Sequence, residues 1–256
     1  MNATQYVIFE ASIACQFAGV HRACPISDPR RWPGGAPPEP MPDALIVQTA
    51  VALYRDHGFT GMIGWHYYGE PAMARDRILG LMDAIEAAWP AARFTLWTNG
   101  LDGDAEWFRR FAQIVVSDYG LDHERREAIH RAAPWAILRR STLDARRTAV
   151  GPDADATPCA RMFAEMIFDY GGAVHCCCYD WRGQAELGRL GDGALDELIR
   201  RWRIARAAMV RGAHGSAAPP CCRRCAFRSP DVACLVPEIQ RRAMLARDAI
   251  LGEPTC

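Results

Sequence analysis

Residues 94–118 read FTLWTNGLDGDAEWFRRFAQIVVSD, and this stretch decides the fold. Phe94 to Trp97 is a short apolar and aromatic run, the pattern of a buried strand, and it ends in the turn residues Thr98-Asn99-Gly100. A helix follows around Glu106 to Phe111, and Ile114 to Val116 is another apolar strand that ends at Ser117-Asp118. Strand, helix, strand at this spacing is a βαβ unit and implies a parallel sheet.

The pattern continues in both directions. Upstream, Tyr6 to Glu10 (YVIFE) reads as a first strand that leads into Cys15, and Gly61 to Tyr68 (GMIGWHYY) as a second that leads into Gly69-Glu70-Pro71. Asp43 is placed to cap a helix through Leu45, Val47, Val51 and Leu53 that Gly58 ends, and Ile78, Leu79, Met82 and Ile85 mark a helix from Arg75 to Ala88 that Pro90 stops. Residues 25–42, PISDPRRWPGGAPPEPMP, are too rich in Pro and Gly for regular structure and read as a long loop, a lid or docking surface. Downstream, a charged helix from about Asp122 to Ala132 precedes a fifth strand, Trp135 to Leu138. Ligands of parallel sheets sit at the C-terminal edge of the strands. Cys15, Tyr68 to Pro71, Thr98 to Gly100 and Ser117-Asp118 all fall there.

The chain has 256 residues, half of them hydrophobic and 23% charged, the composition of a globular protein with a sizeable core. Thirty basic residues, all arginine, balance thirty acidic ones. A net charge of zero removes the electrostatic case for nucleic acid or an anionic membrane as partner. No apolar run has the roughly 20 residues of a membrane span, and the N-terminus is not laid out as a signal peptide, so a cytoplasmic location is expected.

Eleven cysteines in such a chain point to metal rather than to disulfides. Cys15 and Cys24 lie near the start. The others fall after residue 150, where the composition turns Cys-rich, and a domain boundary is expected there: residues 1–150 carry the strand–helix repeats and residues 151–256 a small Cys-rich unit. Cys222-Arg223-Arg224-Cys225 is a C-x2-C pair able to present two thiolates to one metal or cluster. Cys159 and Cys177 flank a hairpin signal at Asp169-Tyr170-Gly171-Gly172 and bring the thiolates to four. From spacing alone these ligands suit structural zinc as well as iron–sulfur. The arginines of Leu198 to Arg211 read as the solvated face of an amphipathic helix, with Leu198, Trp202, Ala205 and Met209 on its buried stripe.

From Pro158-Cys159 through Gly172-x4-Cys177, Leu187-Gly188 and Leu195-Asp196-Glu197-Leu198 to Cys222-x2-Cys225, the chain resembles the SPASM-type auxiliary-cluster domain of radical S-adenosylmethionine (SAM) enzymes. The resemblance implies one auxiliary 4Fe-4S cluster on Cys159, Cys177, Cys222 and Cys225. The first part resembles the radical SAM domain, a partial (β/α) barrel. There the resemblance makes Tyr68-Gly69-Glu70-Pro71 the motif that binds the SAM amino group, with Gly69, Glu70, Pro71 and Asn99 in the SAM site and Ser117 against the ribose. The cluster motif departs from the family's C-x3-C-x2-C: Cys15 and Cys24 have eight residues between them and position 19 is glycine. Three readings follow. Cys15, His21 and Cys24 form a C-x5-H-x2-C variant with imidazole as third ligand; a cysteine from elsewhere completes the site; or the N-terminal cluster is lost.

The resemblance implies a radical SAM enzyme that takes an electron from an external donor, cleaves SAM reductively, and abstracts hydrogen in an oxidation, epimerisation or cross-linking reaction. Because the chain begins at strand one, the expected substrate is a small molecule, or a peptide delivered by a separate partner. A catalytically degenerate iron–sulfur binding or partner protein of the same fold is the alternative.

Overall fold

The computed structural model describes residues 4–21, 24–28, 31–32, 35–141, 165–175, 177–178, 187–210 and, singly, 180, 183, 185 and 222. The strands are β1 (Tyr6–Phe9), β2 (Met62–Gly64), β3 (Phe94–Thr98), β4 (Gln113–Asp118), β5 (Ile137–Arg140), β6 (Glu165–Phe168) and β7 (Val174–His175). The helices are α1 (Asp43–His57), α2 (Arg75–Ala88), α3 (Ala105–Arg109), α4 (His123–Ala132) and α5 (Leu195–Val210). All seven strands form one sheet in the order β5-β4-β3-β2-β1-β6-β7. β1 to β6 pair in parallel, and only β7 runs antiparallel, against β6. This parallel-dominated α/β sheet is the layout of a partial barrel.

The period of two along each strand sorts side chains between the faces. Val7, Phe9, Phe94, Leu96, Ile114, Val116, Met166 and Phe168 join one large core with Ile46 and Leu53 of α1, Ile78 and Met82 of α2 and Ile129 of α4. Ile8 and Ile167, the alternate residues, belong to a separate cluster with Cys24, Tyr67 and Tyr68. Cys24, Tyr67 and Tyr68 of that second cluster also line the cleft at the strand ends.

Several expectations need correction. Asp43 is the first helical residue rather than the cap, which is Pro42; its carboxylate instead accepts from Arg77 Nε at 2.7 Å. β2 is three residues long, and past its end His66, Tyr67 and Tyr68 line the site while Trp65 joins the core. The Pro-rich segment contains a 3-10 turn, Pro25–Ser27, started by proline. β6 was not foreseen as part of this sheet. Residues 165–175 extend the sheet of the first 141 residues past β1. In α5 Leu198, Trp202 and Met209 are buried as expected, but Arg206 is 2% exposed, with its guanidinium 4.8 Å from the Trp202 ring and its Nη1 3.4 Å from Thr4 Oγ1. No helix among the described residues is long and apolar enough to cross a membrane.

Candidate functional site

The C-terminal ends of β1 to β4 open into one cleft of about 510 Å³, counting space continuous with solvent, and Cys15, His21, Cys24, Gly69, Glu70, Asn99 and Ser117 all line it. These residues come from the loops after β1, β2 and β3 and from the end of β4. Pro71 does not line the cleft; it is buried and starts the 3-10 turn Pro71–Ala74.

Glu10 follows β1 on the face of Ile8 and is 1% exposed. Its Oε1 accepts the N–H of Tyr68 (3.0 Å) and Gly69 (3.1 Å), its Oε2 accepts the N–H of Tyr170 (3.2 Å), and Arg31 Nη2 lies 2.6 Å from Oε1. Arg31, 4% exposed, also stacks over Trp32, Tyr67 and Tyr68. Sequence reasoning missed Arg31: an arginine in a Pro-rich loop reads as solvated until the partner that buries it is known.

Backbone bonds fold the loop after β1. Ala18 N–H bonds Cys15 O, His21 N–H bonds Phe17 O, and Cys24 N–H bonds His21 O. Gly19 sits at φ +80° in the left-handed region, where a cysteine would be strained, so this turn is built for glycine at the position where the sequence resemblance would place a middle cysteine. His21 is turned inward instead, 3% exposed, edge-on to the Tyr119 ring at 5.5 Å. Burial pushes the Cys15 thiol up, and the nearby Glu70 and Cys24 add to that, against a hydrogen bond from Phe17 N–H. A bound metal would reverse the shift, because it favours the thiolate.

The resemblance puts Gly69 in the SAM site, where a missing Cβ lets backbone approach a ligand. The close approach is to the protein itself: a Cβ there would lie 1.7 Å from Ser12 O. With Glu70 N–H bonded to Ala14 O at 2.7 Å, this contact fastens the 69–70 segment to the loop that carries Cys15. Glu70, 4% exposed, accepts from Thr98 Oγ1 (2.6 Å), Asn99 N–H (2.8 Å) and Ala72 N–H (3.2 Å). Burial raises its carboxyl, and these three bonds resist the rise. Asn99 donates from Nδ2 to Gln16 Oε1 at 2.8 Å. The period of two in β4 directs Ser117 to the cleft and Asp118 to α4, where it accepts from Arg126 Nε at 2.8 Å.

Aromatic residues complete the walls. His66 stacks on Trp97 at 5.2 Å, and Phe17 packs edge-on to Tyr119 at 5.3 Å. Tyr67 lines the cleft, and burial raises its phenol well above the ordinary value. The turns after β2 and β3 foretold their backbone positions, but nothing in the spacing marked Trp97 or Tyr119.

Of the C-terminal cysteines, Cys159 and Cys225 lie outside the described residues. Cys177 and Cys222, 45 positions apart, pack in one buried cluster with Met209. Cys178 packs instead against the cluster of Cys24, Tyr67 and Tyr68, and Tyr68 donates its hydroxyl to Cys178 O. Two thiolates and an inward imidazole on one cleft, and two converging thiolates beyond it, are donor sets that suit iron–sulfur chemistry. Among the described residues no three His, Cys, Asp or Glu side chains are gathered closely enough to hold a single metal ion.

No family model matches the chain, and no curated protein matches it by sequence. Solved structures do match. BtrN in complex with AdoMet and 2-DOIA aligns at a TM-score of 0.58 with 16% identity, over 82% of this chain and 88% of that one. The fold is that of BtrN. A selenomethionine form of BtrN in an open conformation aligns at 0.60 with 16% identity, over 88% of this chain and 96% of that one. Native anSMEcpe with bound AdoMet aligns at 0.50 with 12% identity, over 97% of this chain and all of that one. BtrN and anSMEcpe are radical SAM proteins, and at these identities the likeness is one of fold.

Proposed function

We propose that the chain is a radical SAM enzyme with its SAM site in the cleft at the ends of β1 to β4 and one auxiliary cluster near Cys177 and Cys222. The observation that carries the reading is the convergence of Cys15, His21, Cys24, Gly69, Glu70, Asn99 and Ser117 on one cleft. The BtrN-like fold supports it.

In this reading Cys15, His21 and Cys24 hold the N-terminal 4Fe-4S cluster, with His21 as third ligand, and Cys159, Cys177, Cys222 and Cys225 hold the auxiliary one. Held there and reduced by an external donor, such a cluster would supply the single electron that reductive SAM cleavage and hydrogen abstraction from the substrate require. The chain's own part is to bind, orient and exclude water. Glu70 ties the turn after β3 to the 69–72 segment, the Asn99 side chain ties that turn to Gln16, and Ser117 offers a hydroxyl toward a ribose. The aromatic walls suit a small substrate, in line with the 2-DOIA complex of BtrN.

Electron paramagnetic resonance on anaerobically reconstituted, dithionite-reduced protein, with iron and sulfide counted on the same sample, tests the reading. A signal that shifts when SAM is added, with iron for two clusters, is expected. One cluster's worth of iron and a signal indifferent to SAM would establish the degenerate, non-catalytic alternative, which the glycine at position 19 favours.

A further inference from the structure

A buried polar chain not used by the reading above holds the turn that carries Cys177 and Cys178. Asp169 follows β6, and its Oδ1 accepts the N–H of Gly171 (3.0 Å) and Ala173 (2.8 Å). Its Oδ2 lies 3.0 Å from His175 Nε2, and on the other side of the ring Nδ1 lies 2.8 Å from the carbonyl oxygen of Asp180. A carboxylate and a carbonyl only accept, so both ring nitrogens donate. Asp180 closes the turn: its N–H bonds Cys177 O at 3.0 Å, and its Oδ2 accepts Ala185 N–H at 3.2 Å. Asp169, His175 and Asp180 are 8%, 4% and 1% exposed, and a satisfied network at that depth specifies one geometry.

That geometry matters because the two cysteines of the turn belong to different surroundings. Cys177 belongs with Met209 and Cys222, Cys178 with the cleft cluster. A small rotation of the turn would withdraw both.

We propose that Asp169 and His175 are positioning residues for the auxiliary centre: they set the 177–180 turn so that Cys177 meets Cys222 before any metal arrives. The proposal rests on the reading that a metal–sulfur centre forms on these thiolates. Outer-sphere partners that orient metal ligands are worth about 10- to 100-fold in metal affinity, and a clamp on a ligand's backbone acts by the same route.

The test compares Asp169→Asn, His175→Ala and His175→Gln with Cys222→Ala in the full, reconstituted chain, following iron content, the reduced spectrum and the rate of iron loss to a chelator. Asp169→Asn keeps an oxygen for Gly171 and Ala173 but turns a donor toward His175, so it carries the test even if His175→Ala does not fold. Asp169→Asn and His175→Ala are expected to lose the iron that Cys222→Ala removes roughly 10- to 100-fold faster than the unaltered protein. His175→Gln, which can still donate to Asp169, is expected to fall between. In metal-free protein, maleimide labelling of Cys177 should quicken in the same order. Unaltered rates and spectra in Asp169→Asn and His175→Ala, with iron still lost in Cys222→Ala, overturn the clamp and leave the cluster reading standing. Iron unchanged in Cys222→Ala overturns both.

Discussion

Arg31 Nη2 lies 2.6 Å from Glu10 Oε1, and both side chains are withdrawn from solvent. The pair joins the end of β1 to the Pro-rich segment, and through the remaining bonds of Glu10 it holds the 68–69 wall of the cleft and the 170 turn. Removing one member of a buried pair leaves an uncompensated charge, at a cost of about 3 to 5 kcal/mol. Arg31→Ala should lower the urea midpoint accordingly and, on the proposed reading, weaken SAM binding. A loss below about 1 kcal/mol would mean that the pair behaves as an exposed one.

Gly69→Ala should disrupt the site by a route that has nothing to do with charge. The added carbon meets Ser12 O at 1.7 Å, a contact with backbone that no rotamer relieves, so the Cys15 loop or the 69–70 segment must move. Overpacking of this kind costs about 1 to 3 kcal/mol. On the proposed reading, reconstitution of an N-terminal cluster should fail while iron at Cys177 and Cys222 is retained, as read by iron content and the reduced spectrum.

Glu70→Gln distinguishes a loop tie from a direct SAM ligand. Whichever way the amide turns, its NH2 faces a donor, either Asn99 N–H or Ala72 N–H, and leaving a buried donor unsatisfied costs about 1 to 3 kcal/mol. The melting temperature should therefore fall in the absence of SAM. An unchanged melting temperature together with lost SAM affinity would assign the carboxylate to the ligand instead.

Asp118 gives the fold a defined acid limb. The hydrogen bond from Arg126, and then those from Leu121 and Gly120 N–H, hold its carboxyl below the usual value of 3.8, against the upward push of burial. A depressed folded value means that the stability is present above pH 3.8 and is lost as pH falls through the folded value. Asp118→Asn should thus differ from the unaltered protein by a constant margin at neutral pH. Urea midpoints measured from pH 7 downward should show that margin closing below pH 3.8.

Much of this was legible in local sequence. Helix α2 is read within its observed bounds because Ile78, Met82 and Ile85 mark one face and Pro90 ends the pattern, signals that need no distant partner. The N-terminal site residues were legible for a related reason: each stands at or just past the end of a strand, and parallel strands deliver their ends to one edge. Arg31 and Arg206 were not legible, since an arginine's burial depends on what it meets far along the chain. β6 escaped because its four residues read as part of the cysteine-rich region, and only pairing with β1, 159 positions upstream, makes Glu165–Phe168 a strand of this sheet.

The amino-acid order by itself determined the helices and strands of the first 141 residues to within a few positions and which residues stand at those strand ends, because hydrophobic period and turn chemistry act over a few residues. Tertiary structure decided that Gly69 serves a contact with Ser12, that His21 turns inward while Gly19 turns out, and that Cys177 and Cys178 part toward different clusters. Those outcomes depend on steric contacts and hydrogen bonds between segments far apart in the chain, which exist only once the sheet has brought them together.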